Sequence, residues 1–148
     1  MRHSIRVLWS GLVGAALWFC ASVCDAQLVV IVSANSRVTT LSENEVADIY
    51  LGRASQLPDG AHVTPIDLAD EAANRATFYR IVCGKSPAQL RAYWSKLIFT
   101  GAGQPPREVG GAEAVKRLVA AGTGGVSAIG YIDESQLDAT VKAVLSLH

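Results

Sequence analysis

Polar and charged residues follow two apolar segments of this sequence, at positions where a ligand could bind. The candidate ligand-binding residues are Ser33, Asn35, Ser36, Asp67, Asn74 and Arg75. If both apolar segments are strands of an open α/β sheet, these residues follow the carboxyl ends of strands and precede helices. Backbone N–H groups at a helix N-terminus favour anions, so the pattern predicts a site for a small oxyanion.

Arg75 is the sharpest of these candidates. A guanidinium group can donate two parallel hydrogen bonds to a phosphate or carboxylate, which an ammonium group does not do. The alternative is an ordinary ion pair with Glu71, four residues earlier on the same helix face. The glycine-rich segment 123–125, which precedes a later strand, is a further candidate for a wall of the site.

Residues that could catalyse a reaction lack the neighbours that catalysis requires. Cys83 lies on an apolar helix face outside any nucleophile motif, which predicts a buried structural thiol. His62 has no second His or Cys at metal-ligand spacing. Motifs of serine hydrolases, zinc proteases, P-loop proteins and dinucleotide-binding proteins are missing from the sequence. We therefore expect no enzyme, no metal and no cofactor; the alternative is a hydrolase that uses Asp67, Asp70 or Glu71 as its base.

Two further features have both a structural and a functional interpretation. Four aromatic residues could stack on a ligand ring, but their helical spacing favours the core. They are Phe78, Tyr79, Tyr93 and Trp94. The segment Thr100–Pro106 contains two Gly and two consecutive Pro, which excludes regular structure. It could be a binding loop, although a rigid connector is favoured.

The first 26 residues have the pattern of a cleavable secretory signal peptide. A cationic start is followed by an uncharged apolar segment over 7–23 and by Cys24-Asp25-Ala26, which fits a small-residue cleavage site. The apolar segment is shorter than the roughly 20 residues that span a bilayer. We expect the mature protein to begin at Gln27 and residues 27–148 to form one domain in the periplasm.

The charge of the chain excludes some partners. Its 13 Lys and Arg residues balance its 13 Asp and Glu residues, so the formal net charge is zero. Such a chain has no basic field for nucleic acid or an anionic membrane, and we expect neither nucleic-acid binding nor membrane insertion after signal cleavage. Cys20 and Cys24 leave with the signal peptide, so Cys83 has no partner for a disulfide within the chain.

Alternating strand and helix patterns predict an α/β domain with a mostly parallel sheet. The apolar run 28–32 predicts a strand buried on both faces of a parallel sheet. A second strand is predicted over 62–67, and Pro65 favours an edge or a strand end for it. Further strands are predicted over 126–132 and 141–145.

Helices are predicted between these strands. Capping boxes at Ser42 with Glu45 and at Ser86 with Gln89 mark two helix starts. The second of these helices should bury a stripe made of Leu90, Tyr93, Trp94, Leu97 and Ile98. Apolar residues at helical spacing predict two more helices, over 71–83 and 112–121.

Several segments of the chain resemble a known family of proteins. Glu45–Arg53, Arg75–Tyr79 and Ala128–Tyr131 resemble, in that order, the phosphate-binding receptors of bacterial ABC phosphate importers. Tyr93–Gly101, followed by Gln104–Pro106, is similar to a class of short exported phosphate-receptor-like proteins. The resemblance implies the type 2 periplasmic-binding protein fold, with this chain as a single three-layer lobe whose mostly parallel sheet is flanked by helices.

The function that the resemblance implies is an exported solute-binding module for a small oxyanion such as phosphate. The full receptors close two lobes on the anion, and nothing in this chain corresponds to their first lobe. Their second lobe holds phosphate at a Ser-Gly-Thr stretch that opens a helix and follows an Arg; residues 67–77 of this chain lack that stretch. A second copy or another protein would supply the missing wall. The alternative is an envelope adaptor that binds a protein partner and has lost solute binding.

Overall fold

The computed structural model describes residues 27–122 and 126–148; the predicted signal peptide and the segment 123–125 lie outside the described residues. In chain order the elements are β1 (Leu28–Ser33), α1 (Glu43–Tyr50), β2 (Val63–Leu68), α2 (Ala73–Cys83), α3 (Pro87–Phe99), β3 (Arg107–Val109), α4 (Ala112–Ala121), β4 (Ser127–Asp133) and β5 (Val141–Leu147). A single 3-10 turn, Glu134–Gln136, connects β4 to β5. In the described residues no helix has the length and apolar character needed to cross a membrane.

The strands form one sheet in the order β3-β2-β4-β1-β5. β2 is parallel to β3 and β4, whereas β1 is antiparallel to β4 and β5. Four of the five strands therefore point in one direction, which confirms a mostly parallel α/β sheet. The orientation predicted for β1 is wrong: its apolar residues are buried on both faces because β1 lies between two neighbours and two helix layers.

Pro65 occupies a special position in β2. The sequence predicted an edge strand or a strand end for Pro65; the edge strand is wrong, because β2 is an inner strand. Val63–Pro65 pair with β4, but β3 pairs only from Ile66 onward, so at Pro65 the strand has a neighbour on one side only. The proline is tolerated because the sheet is locally an edge at that residue. β3 itself, with three residues, has no signal in the sequence.

Helices cover both faces of the sheet. Two successive residues of β4 show this, since side chains of neighbouring strand residues point to opposite faces. At Gly130, a methyl group in place of hydrogen would lie 2.4 Å from Val115 Cγ1, so α4 packs directly on this face. The next residue, Tyr131, stacks on Phe78 of α2 with ring centroids 3.9 Å apart, so α2 covers the other face. The predicted three-layer arrangement is confirmed.

The predicted helix starts are confirmed for α1 and α3. Ser42 and Ser86 each accept a hydrogen bond from the backbone three residues later, and Glu45 and Gln89 complete the two capping boxes. In α3, Leu90 and Trp94 are buried as expected. Ile98 is 55% exposed and therefore does not belong to the buried stripe.

Candidate functional site

A depression lies at the edge of the sheet where β2 and β4 end. Its volume is about 350 Å³. It is lined by Leu68, Ala72, Ala73, Asn74, Gly111, Ala112, Ile132 and Gln136. We call it the carboxyl-edge depression. The carboxyl edge of an open α/β sheet is where ligands of such folds bind, which makes this depression the first candidate for a site.

Two helix N-termini meet at the carboxyl-edge depression. The N-cap residue of α2 is Ala72 and that of α4 is Gly111, and neither N-terminus receives a side-chain cap from the described residues. Ala and Gly carry no side-chain oxygen to accept a backbone hydrogen bond, in contrast to Ser42 and Ser86 of α1 and α3. Arg75 N already donates to Ala72 O at 3.0 Å. The first N–H groups of the two helices, those of Ala73 in α2 and Ala112 in α4, have no intrahelical acceptor and can be donated to an anion.

Asp67 precedes Leu68, a lining residue of this depression, near the end of β2, and is 0% exposed. Its carboxylate accepts hydrogen bonds from Leu68 N at 2.8 Å, Arg75 Nε at 3.0 Å and Tyr79 Oη at 2.8 Å, and also from Tyr131 Oη. Burial, and then the charge of Asp67, raise the pKa of both tyrosines, so they stay protonated and donate. These four donors occupy the acceptor positions of the Asp67 carboxylate. Asp67 therefore organises the core and has no lone pair left for a ligand or for base catalysis.

Arg75 is 7% exposed and is surrounded by carboxylates. Its guanidinium pairs with Asp67 and Asp70, and its Nη2 lies 3.5 Å from Glu108 Oε1. The structure thus places Arg75 neither free in a cleft nor in the alternative ion pair with Glu71. Since its donors already face three carboxylates, Arg75 acts on the carboxyl edge indirectly, by neutralising negative charge beside α2.

The carboxylate in the first turn of α4 is also paired. Lys116 Nζ lies 2.8 Å from Glu113 Oε1 and 3.0 Å from Asp138 Oδ2, although Lys116 is itself largely buried. Hydrogen bonds from Thr140, and then from Lys116, lower the pKa of Asp138 to about 2. Among the acidic residues near the two helix starts, Glu71 is exposed and has no ion-pair partner within the described ranges.

Ser33, Asn35 and Ser36 lie at the opposite edge of the sheet, because β1 runs against β2 and β4. They line a separate depression of about 250 Å³ together with the last residues of α4. Ser33 Oγ donates to Ala120 O at 3.4 Å, so this edge presents the carbonyl end of α4, which disfavours anions. The structure therefore separates these three residues from Asp67, Asn74 and Arg75, and only Asn74 lines the carboxyl-edge depression.

The other candidates for chemistry are also placed. Cys83 is half-buried at the end of α2, where burial raises the pKa of its thiol to about 11. His62 is exposed immediately before β2. Within residues 27–122 and 126–148, no three His, Cys, Asp or Glu side chains are grouped so that they could hold a metal ion.

Sequence reasoning missed most of the residues that line the carboxyl-edge depression. Ala72, Ala73, Gly111 and Ala112 carry no chemical group of their own, and their contribution is backbone N–H. A signal for them was nevertheless present: two of the predicted helices begin without a capping residue, whereas the other two begin with a capping box.

Comparison with known proteins places this architecture among solved structures. No protein-family model and no curated protein matches the sequence. A protein from Clostridium perfringens, described as a phosphate ABC transporter substrate-binding protein and solved with bound phosphate, is 26% identical with a TM-score of 0.60. An ABC-type phosphate transport receptor from Vibrio cholerae is 19% identical, also with a TM-score of 0.60.

Both matches cover 80% of this chain, whereas this chain spans 45% and 46% of theirs. It thus corresponds to less than half of each of these substrate-binding proteins. The sheet order and the covering helices belong to one α/β lobe of that architecture. This chain has the fold of a single phosphate-receptor-like lobe.

Proposed function

We propose that this protein is an exported, periplasmic binding module, not an enzyme, that holds a small oxyanion such as phosphate at the carboxyl-edge depression. The observation that carries the proposal is the convergence of two uncapped helix N-termini, those of α2 and α4, on one depression. Backbone N–H groups and the positive ends of two helix dipoles act on the same volume. The Clostridium perfringens protein, which shares the fold, was solved with bound phosphate.

The surrounding charges are compatible with a bound anion because most of them are already paired. Arg75 faces Asp67, Asp70 and Glu108, and Lys116 faces Glu113. These pairs reduce the repulsion that the carboxylates would otherwise exert on an anion at the helix starts. The donors are backbone groups, so the loss of the Ser-Gly-Thr stretch weakens such a site without abolishing it.

A lone lobe encloses its ligand on one side only. Half of the donors of a two-lobed receptor are missing, and water competes for those that remain, so we expect weak binding by the isolated protein. A partner protein that covers the carboxyl-edge depression would complete the donor set and exclude water.

The test removes one backbone donor at a time. Ala73 and Ala112 are the first residues of α2 and α4, and proline is tolerated at this helix position while lacking the N–H. We expect Ala73→Pro and Ala112→Pro each to weaken phosphate binding about threefold to tenfold, measured by calorimetry and by backbone amide shifts in NMR spectra. Glu43→Pro, at the same position of the capped helix α1, is the matched control and should bind phosphate as the parent protein does.

Phosphate, sulfate and acetate are titrated in parallel. If none of them shifts the amides of Ala73, Asn74 or Ala112, or if the control loses as much affinity as the two test variants, the oxyanion site is wrong and the adaptor alternative takes its place.

Export is tested separately: mass spectrometry of periplasmic material should find a chain that begins at Gln27, and a retained N-terminus in the membrane fraction would contradict it.

A further inference from the structure

Two large apolar side chains at the end of α3 lie in water. Ile98 is 55% exposed and Phe99 is 93% exposed, and no other large apolar side chain within residues 27–122 and 126–148 is exposed. Lys96, one turn earlier on the same helix, is exposed as well. We call these three residues the α3 tip. Exposed apolar side chains that lie side by side mark interaction sites, in contrast to those that occur singly.

The fold holds the α3 tip in its exposed position. Trp94 is 5% exposed and lies on the buried side of α3. Phe99 follows five residues later, which is about 140° around the helix axis from Trp94, so it points away from the packed side. The helix ends at a defined residue, because Gly101 has a positive φ of 68° and Ala102 N donates to Leu97 O at 2.9 Å. The exposure of Phe99 is therefore a property of an ordered helix end.

The α3 tip belongs to a basic part of a chain that is neutral overall. Residues 72–107 contain six Lys and Arg and no Asp or Glu, whereas the whole chain carries 13 charged residues of each sign. Lys96 lies three residues before Phe99, so the two side chains are neighbours on the helix surface. Among the described residues no carboxylate lies within ion-pairing distance of Lys96, in contrast to Arg91, which pairs with Asp70 at 3.5 Å. The tip thus combines an aromatic ring with an unpaired positive charge.

The α3 tip lies on the side of the molecule away from the carboxyl-edge depression. In the first half of α3, Arg91 pairs with Asp70, which follows the carboxyl end of β2. Trp94, further along α3, lines a pocket together with Val63 at the start of β2. Phe99 continues in the same direction, so a protein bound at the α3 tip would leave the carboxyl-edge depression open.

We propose that the α3 tip docks into an apolar pocket rimmed by carboxylates on a different protein. Phe99 fills the pocket, as aromatic residues do at the centre of interfaces, and Lys96 pairs with the acidic rim. The tip is a projection, so its partner has to supply the concave surface. Its few side chains cover much less than the ~800 Å² that each partner buries in a stable complex, so we expect a transient complex.

A second copy of this chain does not offer such a pocket. One depression of about 380 Å³ is lined by Glu45 and Asp48, but both carboxylates are engaged. Glu45 Oε2 accepts a hydrogen bond from Ser42 N at 2.8 Å, and Asp48 pairs with Arg53 at 3.2 Å. The carboxyl-edge depression carries the positive ends of two helix dipoles, which repel an ammonium group. The charges therefore favour a different protein as the partner of Lys96.

The experiment places the photoreactive amino acid p-benzoylphenylalanine at position 99 of the full chain, in the cells that produce the protein. We expect irradiation to give one covalent adduct with a different protein, which mass spectrometry identifies. Lys96→Glu in the same chain should reduce the adduct at least about tenfold, whereas Lys96→Arg should retain it. The matched control carries p-benzoylphenylalanine in place of Arg117, an exposed residue of α4, and should not give this adduct.

The captured protein is then purified and titrated by calorimetry. Phe99→Ala should weaken its binding at least about tenfold, and the affinity for the parent chain should fall as the salt concentration rises. The same variant should keep the melting temperature and the phosphate binding of the parent chain, because Phe99 is exposed and distant from the oxyanion site.

Five results would each overturn the proposal. They are the lack of any adduct at position 99, an adduct with twice the mass of this chain, an adduct with phospholipid, an adduct that Lys96→Glu leaves unchanged, and a loss of melting temperature in Phe99→Ala that accounts for its weaker binding.

Discussion

The buried ion pair of Asp67 and Arg75 makes each of the two residues difficult to replace without loss of stability. Arg75 and Asp67 are 7% and 0% exposed, and their side chains bond at 3.0 Å. Removing one partner of a buried pair leaves the other charge uncompensated in a medium that solvates it poorly. We expect Arg75→Ala to lower the free energy of unfolding by about 3 kcal/mol or more, measured by urea denaturation.

Arg75→Lys should recover part of this loss, because the ammonium retains the charge but loses the planar set of donors. Arg91→Ala is the exposed control: its pair with Asp70 spans 3.5 Å at the surface, and its removal should cost at most about 0.5 kcal/mol. Equal stability of Arg75→Ala and Arg91→Ala would mean that the buried ion pair contributes nothing. The Arg75 variants should also weaken phosphate binding, since three carboxylates would lose their counter-charge.

The Cys83 thiol illustrates how burial controls reactivity. Its pKa of about 11 lies well above the ordinary value of about 8.5, chiefly because burial disfavours the thiolate. The thiolate is the reactive form, so at pH 8 the folded protein should react with a disulfide reagent about a hundredfold more slowly than the urea-unfolded chain. The folded rate should rise about tenfold per pH unit up to about pH 10 and level off above pH 11. Rapid labelling at pH 8, or loss of phosphate binding in Cys83→Ala, would contradict a structural role.

At the scale of elements, Gly130 determines how closely α4 approaches the sheet. A methyl group there would lie 2.4 Å from Val115 Cγ1 and 3.1 Å from Val119 Cγ2. We expect Gly130→Ala to push α4 outward and cost about 1–3 kcal/mol in unfolding free energy. Because the N-terminus of α4 lines the carboxyl-edge depression, phosphate binding should weaken as well.

The test of this prediction includes a rescue and a control. Val115→Ala in the Gly130→Ala background removes the clashing methyl groups and should restore part of the stability and of the phosphate affinity. Gly110→Ala meets no neighbouring atom and should be nearly neutral in thermal denaturation. If Gly130→Ala and Gly110→Ala are equally stable, α4 does not depend on the close contact at Gly130.

The elements with local chemical signals could be predicted from sequence, and the others could not. The caps at Ser42 and Ser86 fixed the starts of α1 and α3, because a side-chain oxygen and a backbone N–H three residues apart suffice for the interaction. The direction of β1 is decided by its pairing with β4 and β5, which are about a hundred residues away in the chain. β3 pairs with β2 only beyond Pro65, over Ile66–Leu68, and this pairing also depends on residues distant in the chain.

The same distinction applies to the site. The sequence placed candidate residues after strands, and Asn74 does line the carboxyl-edge depression. A parallel β1 would bring Ser33 and its neighbours to the same edge, whereas the antiparallel β1 carries them to the opposite one. The sequence alone does not decide whether the Arg75 guanidinium meets a ligand or a carboxylate, because Asp67 and Glu108 approach it only in the folded chain.

At the scale of the whole molecule, the question is what covers the carboxyl edge. This chain spans 45% of the Clostridium perfringens protein, so no second lobe of its own is present in the described residues. In a two-fold dimer, a second copy would bring an identical surface against the depression. That surface carries two exposed carboxylates, Glu71 and Glu134, without an ion-pair partner among the described residues, and two copies would place like charges opposite each other.

We therefore expect the protein to stay monomeric when inorganic phosphate is added, measured by sedimentation velocity at ordinary ionic strength. A partner that completes the site should instead be a different protein with a basic surface. Its association is steered by the carboxylates beside the depression, Glu71 and Glu134, and weakens as the salt concentration rises. Glu71→Lys together with Glu134→Lys removes most of the repulsion between copies, and this variant should dimerise more readily than the parent protein. A phosphate-dependent dimer of the parent, lost in Ala73→Pro, would show instead that a second copy supplies the missing wall despite the charge.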